Sequence, residues 1–186
     1  MNYFDVKNLD IKIISLTLKN MGAPDAIDDL LAAWREARPD LDPAPLGVVG
    51  RVIVLAKHLE RSVDAALEPH GLTLGQFDIL ATLRRNGVKG GLTPTQLLES
   101  VMLSSGGMTA RLDQLAKDDL IARKADAKDR RKVVVELTAK GRRLIDAATA
   151  TRFDEARRSL PDLKPTETRE LESVLRGWLN ALTHSR

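Results

Sequence analysis

Apolar positions form long helical stripes toward both ends of the chain, and their period changes once in between. From 46 to 69, Val48, Val52, Leu55, Leu59, Val63 and Ala66 recur every three or four residues. That spacing predicts one long amphipathic helix, ended by His70-Gly71. Two more long helices are predicted near the C-terminus. One spans 139–159, with Leu144, Ile145, Ala148 and Ala156 inward; the other spans 166–183, with Leu171, Val174, Leu175, Trp178 and Leu182 on one stripe. Pro161 and Pro165 punctuate the turn between them. Short elements fill the middle. Thr73 with Gln76 and Thr93 with Gln96 have capping-box spacing and open helices to about Arg85 and Ser100. A third helix runs from Ser104 or Ser105 to about Asp119, with Met108, Leu112, Leu115 and Ala116 inward. The period then drops to two: 121–125 and 132–137 read as strands around a charged tip from Asp126 to Arg131.

The first 45 residues read differently. Residues 24–38 predict a helix with Pro24 at its first position. Asp25, Asp28 and Asp29 lie in its first turns and Arg35 and Arg38 in its last, in keeping with the helix dipole. Ile27, Leu30, Leu31 and Trp34 form its stripe, and the proline-rich stretch 39–45 reads as a linker. Residues 10–18 alternate enough to favour a strand but have no hairpin partner nearby. Segment 1–22 therefore reads as a tail, a short helix or an arm packing on another subunit. The domain reading is an extension at 1–22, an added helix and linker at 23–45, and a winged-helix domain at 46–186 that includes long helices at 46–69 and 139–183. The fold class is mainly α with a small β-hairpin: three short helices followed directly by a two-stranded hairpin make a winged helix-turn-helix.

Composition narrows the chemistry. The 186 residues contain no cysteine, which excludes disulfides, thiolate zinc sites, iron–sulfur clusters and thiol redox sensors. His58, His70 and His184 are far apart, and neither a phosphate-binding glycine loop nor a convincing carboxylate set is present. No catalytic residue, metal ligand or cofactor is assigned, and an enzyme is not expected. No apolar run approaches the roughly 20 residues of a membrane span, and no signal peptide is visible, so the expected location is the cytoplasm.

The net charge of +3 conceals an uneven distribution. Between 122 and 143 nine basic residues face three acidic ones, whereas between 21 and 45 two basic residues face six acidic ones. The basic end falls on the predicted wing, where Lys128, Arg130 and Arg131 suit the negative potential of a narrow minor groove. Asp126 and Asp129 suit the role of holding the arginine planes. In the predicted recognition helix, Ser104 and Ser105 are candidate caps. Gly106 and Gly107 remove bulk where backbone must approach a groove, and Thr109, Lys117 and Ser105 offer polar contacts. Arg111 is the first candidate for a guanine O6/N7 contact and Gln114 the next.

The run Leu103-Ser104-Ser105-Gly106-Gly107-Met108-Thr109-Ala110-Arg111-Leu112-Asp113-Gln114-Leu115 is followed by Asp118, Leu120-Ile121, Asp126, Asp129-Arg130-Arg131 and Val135…Leu137-Thr138-Ala139-Lys140-Gly141. In motif, order and spacing it resembles the MarR family of bacterial transcription regulators over about 46–183. The resemblance implies a homodimer with interlocking first and last helices and two winged helices on a palindromic operator in double-stranded DNA. It also implies a small ligand that weakens DNA binding, hence a ligand-responsive repressor. The long apolar-striped helices agree, since they carry more surface than one small winged helix needs to cover. The tryptophan-bearing extra helix and Ser105-Gly106-Gly107-Met108-Thr109 resemble the urate-responsive, PecS-like branch. That resemblance places ligand contacts at Trp34, Asp78, Arg85 and Arg123, with Arg84 an alternative to Arg85. Asp78 and Arg85 share a helix face about 10 Å apart along the axis. A planar anion such as urate, a related purine or another aromatic acid could stack on Trp34 and take a fork from Arg85. Asp78 would accept a ring N–H or hold Arg123. In the alternative, Trp34 is a core anchor and Asp78 and Arg85 are ordinary surface charges. The competing function is a winged-helix protein–protein interaction module without ligand response, for which Arg130 and Arg131 would be unnecessary.

Overall fold

The computed structural model describes residues 23–86, 91–100, 107–125 and 132–184. The elements are α1 (Ala26–Ala37), α2 (Ala44–Leu67), a 3-10 turn (Glu68–His70), α3 (Leu74–Arg85), α4 (Pro94–Ser100), α5 (Met108–Lys117), β1 (Ile121–Ala125), β2 (Val133–Leu137), α6 (Ala139–Ser159) and α7 (Pro165–His184). The mainly helical class with a single hairpin is the one expected. The chain divides into two compact units: residues through Arg51 together with those from Arg158 onward, and Val52–Arg157.

In the first unit, α1 packs on the first turns of α2 through two glycines. A Cβ at Gly47 would stand 3.3 Å from Leu31 Cδ1, and one at Gly50 would stand 3.2 Å from Ile27 Cδ1. Larger residues at either position would push the helices apart. The ends are held electrostatically. Arg51 forks onto Asp25 at 2.9 and 3.0 Å and reaches Asp28 at 2.8 Å. Asp25 is the N-cap of α1 and exchanges a capping box with Asp28. The helix therefore starts two residues beyond Pro24, because an aspartate that can accept amide N–H groups is the stronger start signal. In α7 no residue of the described stretch is buried, although Leu171, Val174, Leu175, Leu179 and Leu182 recur at helical spacing.

The clamp makes a pH prediction. The Arg51 guanidinium holds Asp25 below the usual carboxylate range, and for Asp28 the backbone N–H of Asp25 does so first, then Arg51. Their folded pKa values are depressed, so their contribution is complete above the unfolded value of about 3.9 and is lost as the pH falls through the folded values. In a Trp178→Phe background, acrylamide quenching of Trp34 is expected to rise below about pH 4. Arg51→Gln should show raised quenching already at neutral pH. Quenching that ignores both pH and the substitution would remove the clamp's role.

In the second unit α3 runs through the centre. Every residue from Phe77 to Leu83 is buried, as expected of a helix covered on all sides. Around it Leu67, Leu97, Leu115, Val135 and Ile145 are sealed from solvent, each contributing about 1.5–3 kcal/mol. The capping boxes of Thr73 with Gln76 and Thr93 with Gln96 form as the spacing predicts. The strands pair antiparallel with Ile121 opposite Leu137 and Ala125 opposite Val133. Leu92, ahead of α4, adds a bridge the alternation did not reveal: its N–H donates to Val135 O at 3.0 Å and its carbonyl accepts from Val135 N at 2.8 Å. Gly91 makes this approach possible, since a Cβ there would stand 2.6 Å from Val135 O.

Three expectations are corrected. α2 begins at Ala44, which shortens the linker. Of its predicted stripe only Val63 is buried and Ala66 half-buried, with Leu67 beside them sealed from solvent, while Val48, Val52, Leu55 and Leu59 stay exposed. In α6 the inward series is Gly141, Ile145, Ala148 and Glu155, and Ala156 is exposed. The 4-3-4-3 spacing carries that stripe to 152 and 155, where Arg152 donates to the buried Glu155 carboxylate at 2.6 Å. The third correction is the start of α5.

Candidate nucleic-acid interface

α5 starts at Met108, and its N-cap is Gly107 at φ +79° with no side-chain cap bond. Only a glycine takes that left-handed conformation without strain. Ser104, Ser105 and Gly106, offered above as the helix start, lie outside the described residues, as do 1–22, Gly87, the 101–103 turn and the wing-tip Lys128, Arg130 and Arg131. Leu112 and Leu115 are buried in the core, with Met108 and Ala116 packed beside them. Thr109, Ala110, Asp113, Gln114 and Lys117 are exposed.

Arg111 is placed differently from the outward base contact expected of it. It is half-buried and lies against the first turn of α3: a Cβ at Gly75 would meet its Nε at 2.6 Å. With Thr73, Gln76 and Gln114 it lines an open groove at the start of α3. Gln114 donates through Nε2 to both oxygens of Asp118, at 2.9 and 3.0 Å.

The C-terminal end of α5 is closed by a Schellman motif. Leu120 N–H reaches Leu115 O at 2.9 Å and Asp119 N–H reaches Ala116 O at 3.1 Å, with Asp119 at φ +57° in place of the usual glycine. Three bonds then tie this end to the start of α6. Thr138 Oγ1 donates to Asp119 O and Lys140 Nζ to Asp118 O, both at 2.7 Å, and Thr138 N–H donates to Leu120 O at 3.1 Å. The wing is tied as well: Arg123 on β1 meets Asp113 on α5 at 2.5 Å, and Lys124 meets Glu136 at 2.6 Å. α5, the hairpin and α6 are therefore linked by polar contacts.

The ligand candidates are distributed between the units. Trp34 is in the first, 45% exposed on α1. In the second, Asp78 is buried at 8% exposure on α3, on the same face as Thr82 and Arg85. Arg85 donates to Thr82 Oγ1 at 2.9 Å, while Arg84 is taken by Asp146 at 2.6 Å. Arg123 gives its guanidinium to Asp113, a partner sequence reasoning did not single out. No local pattern signals that pairing, because the chain reverses between the two residues. Among the described residues no three His, Asp or Glu gather as a metal site, and no helix is long and apolar enough to cross a membrane.

Comparison with known proteins places this architecture. The MarR family model matches residues 72–133. The transcriptional regulator PecS of Dickeya dadantii is 32% identical over 149 residues, covering 80% of this chain and 90% of PecS. The Mycobacterium tuberculosis MarR family protein Rv2887, solved in complex with salicylic acid, is 29% identical with a TM-score of 0.54, over 68% of this chain and 92% of that one. A mutant MarR from E. coli, solved with operator DNA, shares the fold at 24% identity and a TM-score of 0.63, over 78% of this chain and 97% of that one.

Proposed function

The chain belongs to the MarR family of transcription regulators, and from that premise we propose that it is a homodimeric repressor that reads a palindromic operator and lets go when a planar aromatic anion binds. One observation carries the DNA-reading part. α5 is anchored on its inner face by Leu112 and Leu115 and at its C-terminal end by Asp118, Asp119 and Leu120, so its outer face is presented as a rigid surface. The wing follows directly and is hooked to α5 by Arg123 and Asp113. In this reading Ser104, Ser105, Gly106, Gly107, Thr109, Gln114 and Lys117 face the major groove, with Arg111 at its edge. Lys128, Arg130 and Arg131 follow the minor groove. The exposed apolar stripes of α2 and α7 join the two copies.

Ligand release rests on the α3 face. Asp78 is a buried carboxylate and Arg85 a fork donor on the same side, a pair able to accept a ring N–H and clasp an anion. The salicylic acid complex of Rv2887 supports an aromatic acid as the ligand class, and urate, the planar anion that the sequence resemblance implies, is the other compound to try.

A randomised DNA library, selected on the protein and followed by footprinting, tests the reading. The expected result is a palindrome protected on two arms whose centres lie about one helical turn, roughly 34 Å, apart. Urate and salicylate are then titrated separately. One of them should release the DNA and raise the melting temperature, and Arg85→Ala should abolish both effects. Trp34→Ala shows whether the exposed indole contributes. If no sequence is enriched, the chain is an interaction module. If a palindrome is found and neither acid releases it, only the ligand class fails.

A further inference from the structure

We propose that Asp118 is a positioning residue for operator reading: it fixes the amide of Gln114 so that the remaining N–H and Oε1 form a fork that selects adenine and rejects guanine. The inference rests on the operator-reading role of α5 and specifies one position of it.

Gln114 stands on the exposed side of α5 with Ala110 and Lys117, away from the buried Leu112 and Leu115. Ala110, one turn earlier, is too short to shield it. Asp118, one turn later, is half-buried, and its two oxygens lie 2.9 and 3.0 Å from Gln114 Nε2. Near-equal distances to both oxygens of one carboxylate describe a single N–H shared between them. The orientation of the amide follows from chemistry. An ionised carboxylate only accepts, so the NH2 end faces it, and its charge strengthens the bond. The second N–H and Oε1 meet no partner among the described residues and remain together as one donor and one acceptor.

A free glutamine on a helix surface is ambiguous. Its amide turns end for end, and it offers either one donor with one acceptor or two donors. The first pattern matches adenine, whose N7 accepts and whose N6–H2 donates. The second matches guanine, whose N7 and O6 both accept. Asp118 removes the second pattern, because one N–H is already engaged. Against guanine the held amide makes one bond and sets Oε1 against O6, acceptor to acceptor. Against adenine it makes both bonds. Thymine and cytosine each offer it one.

Asp118 is itself fixed. Its N–H donates to Gln114 O at 2.9 Å, and its carbonyl accepts from Lys140 Nζ at 2.7 Å, which ties the cap residue to α6. A carboxylate is otherwise ill-suited to the negative end of a helix dipole, beside a surface that would meet phosphates. Holding the Gln114 amide is the interaction the structure gives it.

Randomised-site selection on the intact protein finds the operator, and the position that Gln114→Ala levels is the one Gln114 faces. Fluorescence anisotropy then compares operators carrying adenine, 7-deazaadenine or guanine there. The wild type should prefer adenine to guanine by about tenfold. It should bind the 7-deazaadenine operator, which lacks the N7 acceptor, about fivefold more weakly than the adenine one. In Asp118→Ala and Asp118→Leu, neither of which can accept the N–H, the preference for adenine over guanine should fall to about threefold or less. Asp118→Asn keeps an oxygen acceptor and should retain the wild-type preference. Loss of a negative charge beside DNA raises affinity for all three operators alike, so the adenine-to-guanine ratio separates positioning from charge. A wild-type preference for guanine overturns the proposal, as does an adenine preference with no penalty for 7-deazaadenine; both results need only the wild-type protein. A ratio that Asp118→Ala and Asp118→Leu leave unchanged overturns it too, as does a consensus in which Gln114→Ala levels no position. A selection that enriches no sequence instead overturns operator reading by α5, and this proposal with it.

Discussion

Gly141→Ala is expected to lower the melting temperature by roughly 6–12 °C, the change that about 3 kcal/mol produces in a chain of this length. Gly141 lies in the first turn of α6 and is buried. A Cβ there would stand 1.9 Å from Leu120 O and 2.8 Å from its carbonyl carbon. The obstacle is backbone, so no rotamer relieves it. Leu120 ends the Schellman motif of α5, accepts from Thr138 N–H and is buried in the core. To admit one methyl group, α6 must lift from the end of α5, and the bonds of Thr138 and Lys140 to Asp119 and Asp118 must lengthen. Operator affinity should therefore fall together with stability. Gly177→Ala supplies the contrast in sign. That glycine is in the interior of α7 with nothing within 4 Å of a Cβ, so alanine should stabilise by about 0.8–1 kcal/mol. A thermal melt of Gly141→Ala within about 2 °C of the wild type would show that the wing base yields more easily than its geometry indicates.

That crowding at position 141 was invisible in the linear pattern, where Gly141 enters only as the last residue of the run that resembles the family. What was legible was local. Thr73 with Gln76 and Thr93 with Gln96 announce their helices because both halves of a capping box lie within one turn. The strands of the wing declared themselves by the change from a helical period to alternation, and their register follows once the tip is short. Choices of partner across the fold were not legible. Arg123 selects Asp113, Leu92 bridges to Val135, and Arg111 turns toward Gly75, each decided by neighbours the sequence does not place side by side. The start of α5 was misread for a different reason. A serine cap was expected, whereas a glycine in the left-handed region does the turning, at a place where a Cβ would stand 3.6 Å from Arg111 Nη1. The long helices show a different case: their helical extent was legible in the spacing, but within one chain most of the striped side chains stay exposed.

Leu179→Glu is expected to convert the protein to monomers and to weaken operator binding by about 10²–10⁴-fold. In α7, Val174, Leu179 and Leu182 are each about 60% exposed or more, and Leu171 and Leu175 at least 40%. In α2, Val48, Val52, Ile53, Leu55 and Leu59 are exposed too. A monomer rarely leaves this much apolar side chain in water along its helices, and a second copy of the same stripes is the cover that a two-fold axis supplies. A glutamate placed there would be desolvated on association, which costs far more than the leucine it replaces gains. The effect on DNA follows from linkage. In a dimer, binding of one winged helix makes the second intramolecular, and that advantage, typically 10²–10⁴-fold, disappears in a monomer. The core of the second unit, built on Leu80, Leu115 and Val135, contains no residue of α7, so its helices and wing should remain folded. Sedimentation equilibrium reads the mass, circular dichroism the fold, and fluorescence anisotropy the affinity. Arg169→Ala, a polar change on the same helix, should leave all three unchanged. A Leu179→Glu protein that still sediments as a dimer would show that the α7 stripe is not the contact. A folded monomer with wild-type affinity would show that one winged helix is enough, and the two-arm operator would then have to be abandoned.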